Sequence, residues 1–231
     1  MNKSTQENLL YLSSTFSKLL KRRFGKGPET CNMMSKGNRL YIYIRNYITP
    51  AEEVLLENNE VNLVHNFRST VINAVIKEFI PEVSKVFGES IDYFFHDWNY
   101  HSNTGLILLE NVPSKDEVKI DRDFERTLFH LIDEVGTRYH KRPASLEIVK
   151  FTQNICAIEI KDVLLPLESL AYEKGNLDML LHQARGIKSG YLKKKSLFED
   201  LFNRTIEDIF IVWDYQRNRN YLIFVFYKEY Q

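Results

Sequence analysis

The feature that most constrains this chain is that it repeats itself. Shifted by 115 positions, Leu9, Phe16, Leu20 and Phe24 fall on Phe124, Leu131, Val135 and Tyr139. Both sets recur at helical spacing, so each half opens with a helix that has one apolar face. The same shift carries Arg23, Lys26 and Pro28 onto Arg138, Lys141 and Pro143. Basic residues complement the negative end of a helix dipole and proline cannot continue the helix, so both helices are predicted to stop there.

A hairpin follows in each half. In the first, Glu29 to Met34 pairs with Arg39 to Ile48 across a Gly37-Asn38 turn, and Tyr41, Tyr43 and Arg45 alternate with Ile42, Ile44 and Asn46. Alternation of that kind belongs to a strand with two different faces. In the second, Ser145 to Phe151 pairs with Ile155 to Val163 across Gln153-Asn154. Thr49-Pro50-Ala51-Glu52 then offers a cap hydroxyl, proline at the first helical position and glutamate at the third, a capping box that starts a new helix. Its counterpart, Leu165-Pro166-Leu167-Glu168, is one residue out of register and lacks the hydroxyl, which predicts a weaker start.

Val64, Phe67, Val71, Val75 and Phe79 predict a long amphipathic helix, which Pro81 should kink or end. Leu177, Leu180, Ala184, Ile187 and Tyr191 predict its counterpart, loosened by Gly186 and Gly190. The strongest match is Val86-Phe87-Gly88-Glu89-Ser90-Ile91 with Leu201-Phe202-Asn203-Arg204-Thr205-Ile206, where glycine and asparagine both suit a left-handed helix cap. From there Phe95, Trp98, Tyr100 and Asn103 align with Phe210, Trp213, Tyr215 and Asn218, inside a closing hairpin in each half.

The predicted fold is therefore α+β: two tandem α-β-β-α-β-β modules, each an antiparallel four-stranded sheet with helices on one face. The expected boundaries are 1–110 and 121–231 with a linker at 111–120, the modules packing as a pseudo-dimer. Composition is compatible with that plan, since 44% hydrophobic residues over 231 positions suffice to bury a core. Basic and acidic residues number 13 and 12 up to Lys115 and 18 and 19 beyond it, so neither half has the charge expected of a nucleic-acid or membrane-surface binder. Two cysteines, Cys31 and Cys156, do not make a disulfide framework and fit a reducing cytoplasm. The polar start of the chain lacks a signal peptide's apolar segment, and no stretch is apolar enough to predict a membrane span.

Several residue groups invite a chemical reading and are weighed against a plainer one. Gly25-Lys26-Gly27-Pro28, with Arg22 and Arg23 nearby, could cradle an anion, yet it lacks a P-loop's full spacing and reads more simply as a helix cap with basic residues at the dipole end. His96, Asp97 and His101 carry metal-ligating groups but have Ile211, Val212 and Gln216 at the aligned positions, so no metal site is assigned. The cysteines lack a partnered base and are read as strand thiols, leaving no catalytic residue. The Trp-Tyr pairs could stack a planar ligand and read more simply as cross-strand packing. The Lys193-Lys194-Lys195 run reads as a solvated face.

Gly25-Lys26-Gly27-Pro28 ahead of a hairpin, Ile48-Thr49-Pro50-Ala51-Glu52, a long helix containing Arg68, and Gly88 before a closing hairpin with Asp97 together resemble the MpsC family of bacterial proteins, also called YbcI-like. The resemblance covers most of residues 5–110 and, more weakly, 121–229, where His140-Lys141-Arg142-Pro143 and Leu165-Pro166-Leu167-Glu168 depart from the pattern. It implies a fused double version of a domain named for a membrane-potential-generating system. The function it implies is a non-enzymatic cytoplasmic accessory or regulator with a membrane cation or bicarbonate transport protein as partner, binding no nucleic acid and using no cofactor. Residues of the motifs supply a candidate ligand-binding set, Arg23, Lys26, Gly27, Thr49, Glu52 and Arg68. The alternative is a small-ligand or anion sensor, or an uncharacterised enzyme, with a pocket between the modules.

Overall fold

The computed structural model describes residues 3–111 and 118–227, and most of the expected linker lies outside the described residues. The chain divides into two compact units, Met1–Ser114 and Lys115–Gln231. In the first, α1 (Lys3–Phe24) leads to β1 (Thr30–Lys36) and β2 (Arg39–Arg45), then α2 (Pro50–Glu57) and α3 (Val61–Phe87), then β3 (Tyr93–Asn99) and β4 (Thr104–Glu110). In the second, α4 (Arg122–Gly136), β5 (Ser145–Phe151) and β6 (Ile155–Lys161) precede α5 (Pro166–Glu173), α6 (Leu177–Lys193) and α7 (Lys195–Phe202), and β7 (Ile206–Asp214) and β8 (Arg219–Phe226) close the unit.

The sheets share one topology, β1-β2-β4-β3 and β5-β6-β8-β7, antiparallel throughout. The two hairpins of each unit join through their inner strands, with Ile42 opposite Ile107 and Ile158 opposite Leu222. Alternation then sends Leu40, Ile42, Ile44, Ile107 and Leu109 to the helix-covered face, where they meet Leu12, Phe16 and Leu20 of α1 and Ile72, Val75 and Phe79 of α3. The Phe16 and Phe79 rings meet edge to face at 4.8 Å. The second core sets Ile158, Ile160, Leu222 and Phe224 against Leu128, Ile132, Ile187, Tyr191, Phe198 and Phe202.

Several details depart from the sequence-based expectation. Each unit carries a separate short helix before its long one, and the second unit splits the long helix into α6 and α7 at Lys194. Pro81 neither kinks nor ends α3, which runs on to Phe87. Pro81 faces solvent while Phe79 and Val83 on either side are buried, so packing holds the helix down through the missing hydrogen bond. Gly186 and Gly190 lie inside α6 without breaking it. Gly190 permits contact instead, because a Cβ there would lie 2.3 Å from the Tyr139 ring. Helix α4 stops at Gly136, so Arg138 and Tyr139 lie beyond it and no basic residue occupies its last turn. Its buried face is Leu128, Ile132 and Val135, with Leu131 only partly buried.

The one-residue offset at Leu165-Pro166 extends over several elements, and the shift of 115 holds only outside them. It relates Thr30 to Ser145, becomes 116 from Arg39 and Ile155 through Val61 and Leu177, and returns to 115 at Gly88 and Asn203. The extra residue enters at the first turn, Gly37-Asn38 in one unit and 152–154 in the other, and β5 absorbs irregularity as a bulge between Ile148 and Lys150. Gly88 and Asn203 both take the left-handed conformation that caps their helices, φ 73° and 50°.

One asparagine in each unit ties the closing hairpin to the entry of the short helix. Asn103, at φ 52°, accepts the Tyr47 and Ile48 N–H groups on Oδ1 at 2.7 and 2.8 Å, and its carbonyl accepts the Asn46 N–H. Asn218, at φ 48°, does the same for Val163 and Leu164 at 3.0 and 2.8 Å, its carbonyl accepting from Asp162. Asn103→Ala or Asn218→Ala leaves two N–H groups without acceptors and puts alanine in a left-handed turn that asparagine tolerates better. Each substitution is expected to cost about 2 kcal/mol in urea unfolding, most of it retained in Asn→Gly, which relieves only the backbone. Equal stability of the alanine variants and wild type would show that the turn holds without the side chain.

Candidate functional site

After β2 the chain turns through Asn46, at φ 53°, and runs extended to Thr49, the cap of α2. The Thr49 hydroxyl accepts the Glu52 N–H, and Glu52 Oε2 accepts both the Thr49 N–H at 2.9 Å and the Thr49 hydroxyl at 2.8 Å. This capping box does a second task, because the same carboxylate grips Arg68 of α3. Arg68 Nε donates to Oε1 at 2.7 Å and Nη2 to Oε2 at 2.6 Å, while Nη2 also donates to the Tyr47 carbonyl at 3.2 Å. Glu52 is 0% exposed and Arg68 1%.

Two buried charges repay their desolvation only when geometry and further hydrogen bonds are good, and the forked contact supplies both. Aromatic rings complete the enclosure. The guanidinium carbon lies 4.6 Å from the Trp98 ring centre, 5.2 Å from Tyr47, 5.8 Å from Phe24 and 5.9 Å from Tyr100, and a guanidinium suits such faces because it is planar and weakly hydrated. Phe24 is met edge to face by the partly exposed Phe67. The Tyr47 hydroxyl is buried without a hydrogen-bond partner, and burial pushes its ionisation well above the ordinary range, the nearby Arg68 charge opposing.

Trp98 is itself positioned. Its Nε1 donates to His96 Nδ1 at 3.2 Å, which places the imidazole proton on Nε2, 3.3 Å from Asn73 Oδ1. Burial, with His65 and Arg68 nearby, lowers the His96 pKa to about 4, Asp97 opposing. Gly105, opposite Trp98 on β4, gives the indole its place, because a Cβ there would sit 2.0 Å from the ring.

Of the residues singled out by sequence, Thr49, Glu52 and Arg68 therefore converge. Lys26 reaches the edge of the cluster, its Nζ donating to the Ile48 carbonyl at 3.0 Å. Arg23 does not join them; with Arg22 it pairs with Glu78 of α3, and the Arg23 hydrogen bond holds the Glu78 carboxyl below the usual range. Gly27 donates no group to the cluster in any described hydrogen bond, and Gly25, at φ 76°, caps α1 by donating to the Lys21 carbonyl. His96 and Asp97 are successive strand residues and point to opposite faces of β3, and among the described residues no His, Cys, Asp and Glu group is arranged to hold a metal. Burial pushes the Cys31 thiol up to about 11 and that of Cys156 higher still, away from nucleophilic use. Lys195 pairs with Glu199 at 3.6 Å.

The sequence reading missed Tyr47 and Phe24 as walls. The signal available was Arg68 itself, placed at four-residue spacing between Val64 and Ile72 on a buried face, which calls for a buried carboxylate.

The second unit holds part of the same arrangement. Glu168 is 4% exposed and its Oε2 accepts the Leu165 N–H at 2.7 Å, but Leu165 has no hydroxyl to add. Counting from the helix caps Glu60 and Asn176, the place of Arg68 is taken by Ala184. The rings that would flank a guanidinium stack on one another, Trp213 on Tyr215 at 5.5 Å and Tyr215 on Tyr172 at 5.8 Å. Glu168 has no ion pair among the described residues, and burial raises its pKa, the Leu165 hydrogen bond opposing.

A family model described as Na+-translocating membrane potential-generating system (MpsC) matches residues 6–110, the span that contains the whole Glu52–Arg68 arrangement. No curated protein and no solved structure matches the chain.

Proposed function

Residues 6–110 belong to the MpsC family, and from that premise we propose that the chain is a non-enzymatic accessory or regulatory protein of a membrane-potential-generating cation transport system, acting from the cytoplasm by docking on a membrane protein. The observation that carries this reading is how the polar and apolar groups are disposed. Arg68, Glu52, Thr49 and Lys26 all have partners within the chain, so their cluster is a clamp that fixes α2 against α3 and the end of β2, while Arg23 pairs apart from it with Glu78. Large apolar side chains stay exposed on the short and long helices of both units, Val54, Leu63 and Phe67 in the first and Leu167, Leu170 and Leu177 in the second. Among the described residues no helix is long and apolar enough to cross a membrane, so contact with a transport system would be through a partner.

The test is photo-crosslinking in cells from Val54 and Leu170, with the exposed Lys77 as a control position. Adducts with an integral membrane protein from the apolar positions and not from Lys77 are expected. Adducts confined to other copies of the chain, or equal yields from Lys77, would overturn the reading.

A further inference from the structure

The second unit keeps the carboxylate of the clamp and lacks its cation. We propose that the α5–α6 corner docks a partner segment presenting an arginine flanked by apolar side chains, its guanidinium pairing with Glu168 as Arg68 pairs with Glu52. The inference rests on the protein-docking reading above and names the chemistry of the docked segment.

Glu168 supplies the charge argument. A carboxylate that is 4% exposed and held by one backbone N–H is poorly compensated, whereas its equivalent is gripped by a forked guanidinium and a threonine. Burial raises the Glu168 pKa, the Leu165 hydrogen bond opposing.

The apolar residues supply an independent argument. Where the first unit has Ala51, Val54 and Val61, the second has Leu167, Leu170 and Leu177, exposed by 60, 48 and 58%. Leu165, in the place of the buried Thr49, is exposed as well. Exposed leucines thus surround a buried carboxylate that has no cation, and one occupant answers both features: leucine-like side chains cover the leucines and a guanidinium reaches Glu168. Exposed Glu173 and Asp178 give the rim further negative charge beside Lys174. The Tyr172, Tyr215 and Trp213 stack offers ring faces of the kind that flank Arg68. Arginine is favoured over lysine because the equivalent contact is forked and ring-flanked.

The experiment is calorimetric titration of the full chain with a synthetic amphipathic peptide bearing one arginine among leucines, and with its twin in which neutral citrulline replaces the arginine. The arginine peptide is expected to bind at least about tenfold tighter, a difference of about 1.4 kcal/mol. Glu168→Gln should bring the two peptides level, and Ala184→Arg, which supplies the cation within the chain, should abolish the arginine preference. Circular dichroism establishes that both variants fold, and either one suffices for the comparison. Equal affinity of the two peptides, or binding of neither, overturns the proposal, and so does a preference that survives Ala184→Arg. Two alternative occupants are read in the same series. Self-association lost in Leu170→Glu would assign the corner to a second copy, and binding to phosphatidylcholine vesicles would assign it to lipid. Membrane crosslinks from Val54 alongside failure of the peptides would remove the arginine segment and leave the docking reading in place.

Discussion

Glu52→Gln is expected to destabilise the first unit by about 3–5 kcal/mol, the cost of leaving a buried arginine without its partner. Glutamine keeps the size of the side chain and an oxygen for the Thr49 N–H, so the substitution isolates the charge. Arg68 would remain enclosed by Trp98, Tyr47, Phe24 and Tyr100, with only neutral oxygens, the glutamine amide and the Tyr47 carbonyl, to accept from it. The double variant Glu52→Gln with Arg68→Met should recover most of the loss, because a neutral apolar chain of similar length fits among rings and needs no counter-charge. Each unit has one tryptophan, so urea unfolding in a Trp213→Phe background reports the first unit through Trp98. A loss below about 1 kcal/mol, the scale of an exposed ion pair, would show that solvent reaches the guanidinium and that the clamp is not sealed.

Much of the fold can be read directly from the sequence, because the elements obey local rules. The alternation in Arg39–Arg45 and the turn at Gly37-Asn38 place a hairpin without reference to anything distant, and Thr49-Pro50-Ala51-Glu52 starts α2 where the capping box says it should. Gly88 and Asn203 likewise announce their helix ends through backbone preference alone. Pro81 and Gly190 are misread for the converse reason: each has an intrinsic tendency to break a helix, and each is overruled by contacts that no local window contains. The buried neighbours of Pro81 hold α3 against the core, and the Tyr139 ring occupies the space that Gly190 leaves. The one-residue change of register shows in the sequence at Leu165-Pro166, but not where it enters, because the extra residue sits in a turn, where no periodicity reports it.

The clamp was half legible. Glu52 announces itself through the capping box and Arg68 through its place on an apolar helix face, so a buried pair between α2 and α3 follows from spacing and the cost of an unpaired charge. The walls do not, since Phe24 ends α1, Tyr47 follows β2 and Trp98 and Tyr100 lie around the end of β3, three places joined only by the sheet order. Arg23 shows the opposite failure: proximity in sequence to Lys26 suggested a shared anion site, but a helix spreads neighbouring residues around its axis and Arg23 turns toward Glu78.

Acid is expected to weaken the first unit through His96, by about 3 kcal/mol between pH 6.5 and 4. In the folded unit the imidazole must stay neutral, because Nδ1 accepts from the Trp98 indole and burial penalises the charged ring, with His65 and Arg68 adding repulsion and Asp97 only partly offsetting them. In the unfolded chain the same imidazole takes up its proton near pH 6.5. Between those values the unfolded chain holds more protons, so stability is full above pH 6.5, falls as the pH drops toward 4, and loses no more to this group below it. The Glu78 carboxyl, held low by Arg23, adds its own loss at lower pH, so the slope must be read by difference. In the Trp213→Phe background, His96→Gln should flatten the wild-type decline between pH 6.5 and 4 while leaving the lower limb in place. The second unit supplies a contrast within the same molecule. Burial lowers the His140 pKa, which weakens that unit in acid, but it raises that of Glu168, whose protonation relieves a buried charge as the pH falls. Wild type and His96→Gln curves that run parallel across this range would show that the ring is protonated within the fold, and that Trp98 keeps its place over Arg68 by packing alone.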